Sequence, residues 1–204
     1  MPRIDRPALL VVEGLALVAA ALAPVSMPVL GLLVIGSISV WVRGRSWFAT
    51  TRAPALLVAG GAAVGAIALA LALAISPALS ALTGRAVEWS QFAIARGAVQ
   101  GALVAAVWVT AFALATEMVF RGWVLTRVRE IAPQVGPSGA IAIAALLEAA
   151  ITPGHAAIRI GALAMGVGCG TLFVGGGARL AAPLACRLVF ELGSVMLTWL
   201  ELVR

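Results

Sequence analysis

Ala115-Thr116-Glu117-Met118-Val119-Phe120-Arg121-Gly122 decides how the rest of this chain is read. An acid and an arginine stand four residues apart at the end of a long apolar run. That spacing lets them close a pair on one helix face. Most of the flanking sequence is apolar enough to lie in lipid. Ionisable side chains at membrane depth are costly, and as a rule they have a role.

Composition supports the lipid setting. The chain is 63% hydrophobic and 11% charged over 204 residues, and a soluble domain of this size needs far more polar surface. The expected fold is all-α: a polytopic membrane helix bundle of about seven transmembrane helices. No polar linker or long repeat divides it, so residues 1–204 form one integral membrane domain. The net charge of +6 comes from arginine alone. The arginines are scattered between apolar runs, which excludes a nucleic-acid-binding face and fits loops retained in the cytoplasm. The two cysteines, Cys169 and Cys186, sit in apolar segments and read as small buried hydrophobes. The chain has no asparagine, no tyrosine and a single histidine, His155. A mechanism that needs two histidines, or a histidine and an asparagine, from one chain is excluded.

The runs follow in order. Arg3 and Arg6 precede an apolar run from Pro7 to about Leu22, which imitates a signal peptide. Pro24 at the would-be cleavage point opposes that, so the run reads as a first span, with Glu13 facing the interior. A second run, from about Val29 to Val42, ends at a basic loop with Arg43, Arg45, Arg52, Trp41 and Trp47. A third covers Pro54 to about Ile75, where Gly60, Gly61 and Gly65 suit close packing. Residues 76–96, with Arg85, Glu88, Trp89 and Arg96, read as an external loop or interfacial helix. A helical pattern from about Gly97 to Glu130 emerges on the cytoplasmic side, with Trp123 at the interface. Runs at 138–151, 156–174 and 180–200 complete the bundle. Gly161, Gly166, Gly168 and Gly170 allow close backbone contact in the second of these. Seven spans place the N-terminus in the cytoplasm.

Five charged residues lie at span depth: Glu117 with Arg121, Glu148, and Arg187 with Glu191. Glu148 needs a partner on another helix, and Arg187 is the natural one. The bland reading is a structural charge network. A metal site from Glu117, Glu148 and Glu191 is opposed by arginines competing for the same acids. No cofactor is called for.

Three segments between Thr116 and Glu191 resemble the CPBP family, the CAAX-protease and bacteriocin-processing membrane proteins. The family's first motif is two adjacent glutamates, three further residues and an arginine, often ending Phe-Arg-Gly. Here it stands as Thr116-Glu117-Met118-Val119-Phe120-Arg121-Gly122. The second motif is phenylalanine and, four residues on, histidine; here Glu148 and Thr152 hold those places. The third is histidine and, four residues on, asparagine or aspartate; here Arg187 and Glu191 hold them, with Pro183 upstream. The resemblance implies a CPBP-like core over 98–204, after N-terminal spans and an external loop over 1–97. It also implies descent from glutamic intramembrane peptidases.

The motif positions that would carry the chemistry are Thr116, Thr152, Arg187 and Glu191, and none keeps the family's residue. Thr116 cannot take a proton from water without its own base. Glu191, when ionised, repels an oxyanion. The expectation is therefore a non-catalytic relative, a pseudo-peptidase that binds another membrane protein or forms a subunit of a membrane assembly in a bacterial-type cell membrane. Its partners would be lipids and that protein. Two alternatives stand beside it. One is a remodelled peptidase with Glu148 as a displaced base. The other is a lipid-binding or small transport protein.

Overall fold

The computed structural model describes residues 7–22, 28–42, 55–84, 95, 98–154 and 156–200. Among them no strand occurs. Helices α1 (Pro7–Leu22) and α2 (Pro28–Val42) are followed by α3 (Ala55–Thr83) and α4 (Val99–Glu117). α4 runs without a break into a π-helical segment, Met118–Leu125, and then α5 (Thr126–Ile131). A 3₁₀ turn, Pro133–Val135, leads into α6 (Gly136–Ile151), then α7 (Ala156–Gly175) and α8 (Ala181–Trp199).

Five stretches are long and apolar enough to cross a membrane: Ala55–Leu82, Val99–Ile131, Pro133–Ile151, Ala156–Gly175 and Ala181–Trp199. Their outward faces carry Leu56, Ile67, Leu103, Val107, Leu146 and Met196. Such surfaces are stable when the solvent is lipid. This is the makeup of a multi-pass membrane helix bundle. α1 and α2, at 16 and 15 residues, fall short of the roughly 20 that span a bilayer unaided. Among the described residues, five helices reach spanning length.

Small residues set the closest helix contacts. A Cβ on Gly61 would lie 2.1 Å from the Ala182 carbonyl oxygen, and one on Gly65 would lie 2.2 Å from that of Cys186. Two glycines one turn apart on α3 thus seat against two residues one turn apart on α8, the small-residue packing that membrane helices use. Gly166 and Gly170 on α7 face Ala145 and Ile141 on α6 in the same way. Gly60, Gly161 and Gly168 face open space instead. α8 is therefore held against α3 and α4, and α7 against α6.

Two expectations are corrected. α3 does not stop near Ile75 but continues through Pro77 to Thr83. Proline removes the amide that would donate to the carbonyl of Leu73. The Ser76 hydroxyl donates to that carbonyl at 3.2 Å, so the helix keeps its acceptor paired. Trp123 is not an interfacial belt residue. It is 2% exposed and packs with Leu32, Phe120, Leu125, Ile151 and Phe173 in the main apolar core.

α7 ends in a left-handed turn. Gly177 has φ 71°. The Ala178 amide donates to the Phe173 carbonyl and the Gly177 amide to that of Val174. This pairing closes a helix end and leaves few orphan carbonyls. It turns the chain tightly into α8 and brings the start of α8 beside the end of α7, where Cys169 Sγ donates to the Pro183 carbonyl at 3.6 Å. Both cysteines are buried and unbridged.

The calls for the residues around Arg3 and Arg6, the turn at 23–27, the loop holding Arg43, Arg45, Trp47 and Arg52, the segment with Arg85, Glu88, Trp89 and Arg96, and His155 lie outside the described residues.

Candidate functional site

Four charged side chains meet where α4, α6 and α8 converge. Arg187 Nε donates to Glu117 Oε1 at 2.6 Å. Arg187 Nη2 donates to Glu148 Oε1. Arg121 Nη1 donates to Glu148 Oε2 at 2.5 Å, and Arg121 Nε lies 3.3 Å from Glu117 Oε2. Each acid therefore faces both arginines, and each arginine faces both acids. The result is a closed ring with two negative and two positive charges. Only the Arg121–Glu117 edge lacks hydrogen-bond alignment; it is held by charge alone.

All four members are at least 95% buried. Isolated charges there would cost many kilocalories, and closure of the ring offsets that cost. Charge-assisted hydrogen bonds are the strongest kind available for the purpose. Arg121 Nη2 also donates to the Gly166 carbonyl at 2.9 Å, so α7 is tied in as well. Gly166 has no side chain to hold the guanidinium off; a Cβ there would meet Glu148 Oε2 at 3.1 Å.

The π segment brings Arg121 to this point. Six of its eight residues are buried. Thr126 Oγ1 donates to the Arg121 carbonyl five residues back, at 3.1 Å, in keeping with the wider helical register. Insertions of this kind inside α-helices recur at functional sites. Beyond it, the helix serves a second polar cluster. Glu13 on α1 accepts from Ser39 on α2, from Trp123 Nε1 at 3.3 Å and from Arg127 Nε at 3.3 Å. Sequence reasoning marked Glu13 as interior-facing but found none of these partners. Only the tertiary arrangement brings residues 13, 39, 123 and 127 together.

The positions where the resemblance would place motif residues fare differently from one another. Arg187 is a ring member. Thr152 caps the end of α6 and donates to the Glu148 carbonyl at 2.8 Å. Thr116 is 3% exposed, and its hydroxyl has no hydrogen-bond partner. Thr110, Thr171 and Thr198 each bond the carbonyl one turn back, as helical threonines commonly do, so Thr116 departs from the habit of its neighbours. Glu191 makes no hydrogen bond or close ion pair with the ring, though it stays within the electrostatic reach of Arg187 one turn away. The expected Arg187–Glu191 pair gives way because Glu117 and Glu148 already hold Arg187. Among the described residues no hydrogen bond or ion pair reaches Glu191.

Among the described residues no group of three or more histidine, cysteine or carboxylate side chains is arranged to hold a metal ion. Glu117 and Glu148 instead present their oxygens to guanidinium groups. Set beside family profiles, curated proteins and solved structures, the chain matches none of them.

Proposed function

We propose that the chain is a non-catalytic, CPBP-like membrane protein that serves as an interaction partner or a subunit of a membrane assembly. One observation carries this reading. Both oxygens of Glu148 accept hydrogen bonds from arginine. Glu148 is the acid best placed to stand in for the missing base. A base must be free to take a proton from water, and a carboxylate clamped by two guanidinium groups has lost that freedom. Thr116 brings a hydroxyl with no partner and no base of its own.

The proposal includes seven spans with the N-terminus in the cytoplasm of a bacterial-type cell. Support comes from Glu13 in the first half of α1, Ser39 late in α2 and Arg127 in α5 converging on one point. The start of α1, the end of α2 and the end of the long α4–α5 helix then lie on one side of the membrane. Arginine-rich loops put that side in the cytoplasm.

Gentle cross-linking of the full-length protein in its native membrane tests the reading. A discrete adduct with one other membrane protein is expected, unchanged in Thr116→Ala. A protein that only ever migrates as a lone monomer contradicts it.

A further inference from the structure

Among the described residues, Met118–Leu125 is the one π segment. A turn bonded to the fifth residue back holds about one residue more than an α turn, and such turns are rare. This segment is clamped from two sides. Arg121 donates to Glu148 at 2.5 Å and to the Gly166 carbonyl at 2.9 Å, so it faces α6 and α7. Trp123 Nε1 and Arg127 Nε each donate to a Glu13 oxygen at 3.3 Å, so they face α1. Their i,i+4 spacing puts those two on one helix face. The extra residue sits between the clamps and lets one helix satisfy both.

The clamps are not equally firm. Arg121 belongs to a ring that joins α4, α6 and α8. α5, by contrast, has no buried residue. Its ion pair from Arg127 Nη1 to Glu130 at 2.8 Å is internal and moves with it. We infer that the π segment is a two-register hinge latched by Glu13. When the Glu13 contacts are released, the segment relaxes to α and turns α5 by about 100°, the angle of one residue in a helix of 3.6 residues per turn. With Glu13 in place, turning α5 would leave the Trp123 indole N–H and the Arg127 guanidinium without that acceptor, which is costly for buried donors. With Glu13 gone, nothing repays the poorer bonding of the π register. Arg129, exposed on α5, then points in a new direction. Shifts of a helix against its neighbours are a known form of switching.

The test uses the full-length protein in lipid nanodiscs, with Cys169→Ser and Cys186→Ser so that spin labels go only where they are placed. Labels at Arg129→Cys and at either Leu56→Cys or Ala178→Cys, all exposed positions, give two distances by pulsed electron paramagnetic resonance. A helix with its side chains is about 10–12 Å across, so the turn carries the Arg129 label about 8 Å. Glu13→Ala should shift at least one of the two distances by several ångströms. Deleting Gly122 removes the spare residue and keeps the Glu117–Arg121 and Trp123–Arg127 spacings. With Glu13 present, this deletion should leave both distances unchanged and the melting temperature close to that of the parent. Combined with Glu13→Ala, it should abolish the shift. Deleting Ala106, in the regular part of α4, is the comparator and should destabilise the protein severely. Unchanged distances in a folded Glu13→Ala variant overturn the inference. So does a Gly122 deletion as damaging as the Ala106 deletion, a result that decides the matter even if Glu13→Ala fails to fold.

Discussion

Arg187 Nε lies 2.6 Å from Glu117 Oε1, across the seam between α8 and α4. Arg187 is a permanent cation whose partners are both acids of the ring. On the CPBP-like reading proposed above, it stands where that family has a histidine, and a site that would move protons neutralises charge instead.

Breaking the ring at one member should be costly. Glu148→Gln leaves two arginines facing a single carboxylate. A buried pair broken on one side loses about 3–5 kcal/mol. Reversible unfolding in mixed micelles should show a loss of that order. Adding Arg121→Gln to Glu148→Gln should cost clearly less than the sum of the two single changes, because the residues share one network.

The glycines of α3 separate contact from composition. Gly65→Leu should detach α3 from α8, since its first side-chain atom would already sit 2.2 Å from the Cys186 carbonyl oxygen. Gly60→Leu faces open space and should leave stability within about 0.5 kcal/mol of the parent, as surface changes usually do. Equal loss in both variants would refute the seam.

Ser76 should matter only while Pro77 is present. Ser76→Ala removes the donor to the Leu73 carbonyl and should cost about 1 kcal/mol, the usual worth of one hydrogen bond. In a Pro77→Ala background the helix amide returns, and the same change should cost nothing measurable. A double-mutant cycle on thermal unfolding checks this.

Thr116 and Thr152 should respond oppositely to valine. Thr116→Val removes a buried hydroxyl with no partner and should be neutral or stabilising. Thr152→Val breaks the bond to the Glu148 carbonyl at the end of α6 and should lower stability by about 1 kcal/mol. Melting temperatures in one detergent compare them directly.

Much of this was legible in the residues. Apolar runs between Pro, Gly and Arg located the late helices to within a residue or two, because lipid demands long unbroken helices. Glu117, Arg121, Glu148 and Arg187 were marked as charges needing partners, because buried charge is expensive whatever the fold. The pairing was not legible. The i,i+4 rule offered Glu191 to Arg187, and tertiary contacts with Glu117 and Glu148 prevailed. The π segment left no trace in the periodicity, since its six buried residues read equally well as a helix. Pro77 imitated a helix end because the rescuing hydroxyl of Ser76 is a local hydrogen bond, not a pattern.

The central claim of the proposal is that the arginine–carboxylate ring does no chemistry. Purified full-length protein in lipid vesicles, incubated with a mixed set of transmembrane peptide substrates, tests it most directly when products are read by mass spectrometry. The account predicts no cleavage above the vesicle background, with wild type and Glu148→Gln alike. Cleavage by wild type that Glu148→Gln abolishes would contradict it.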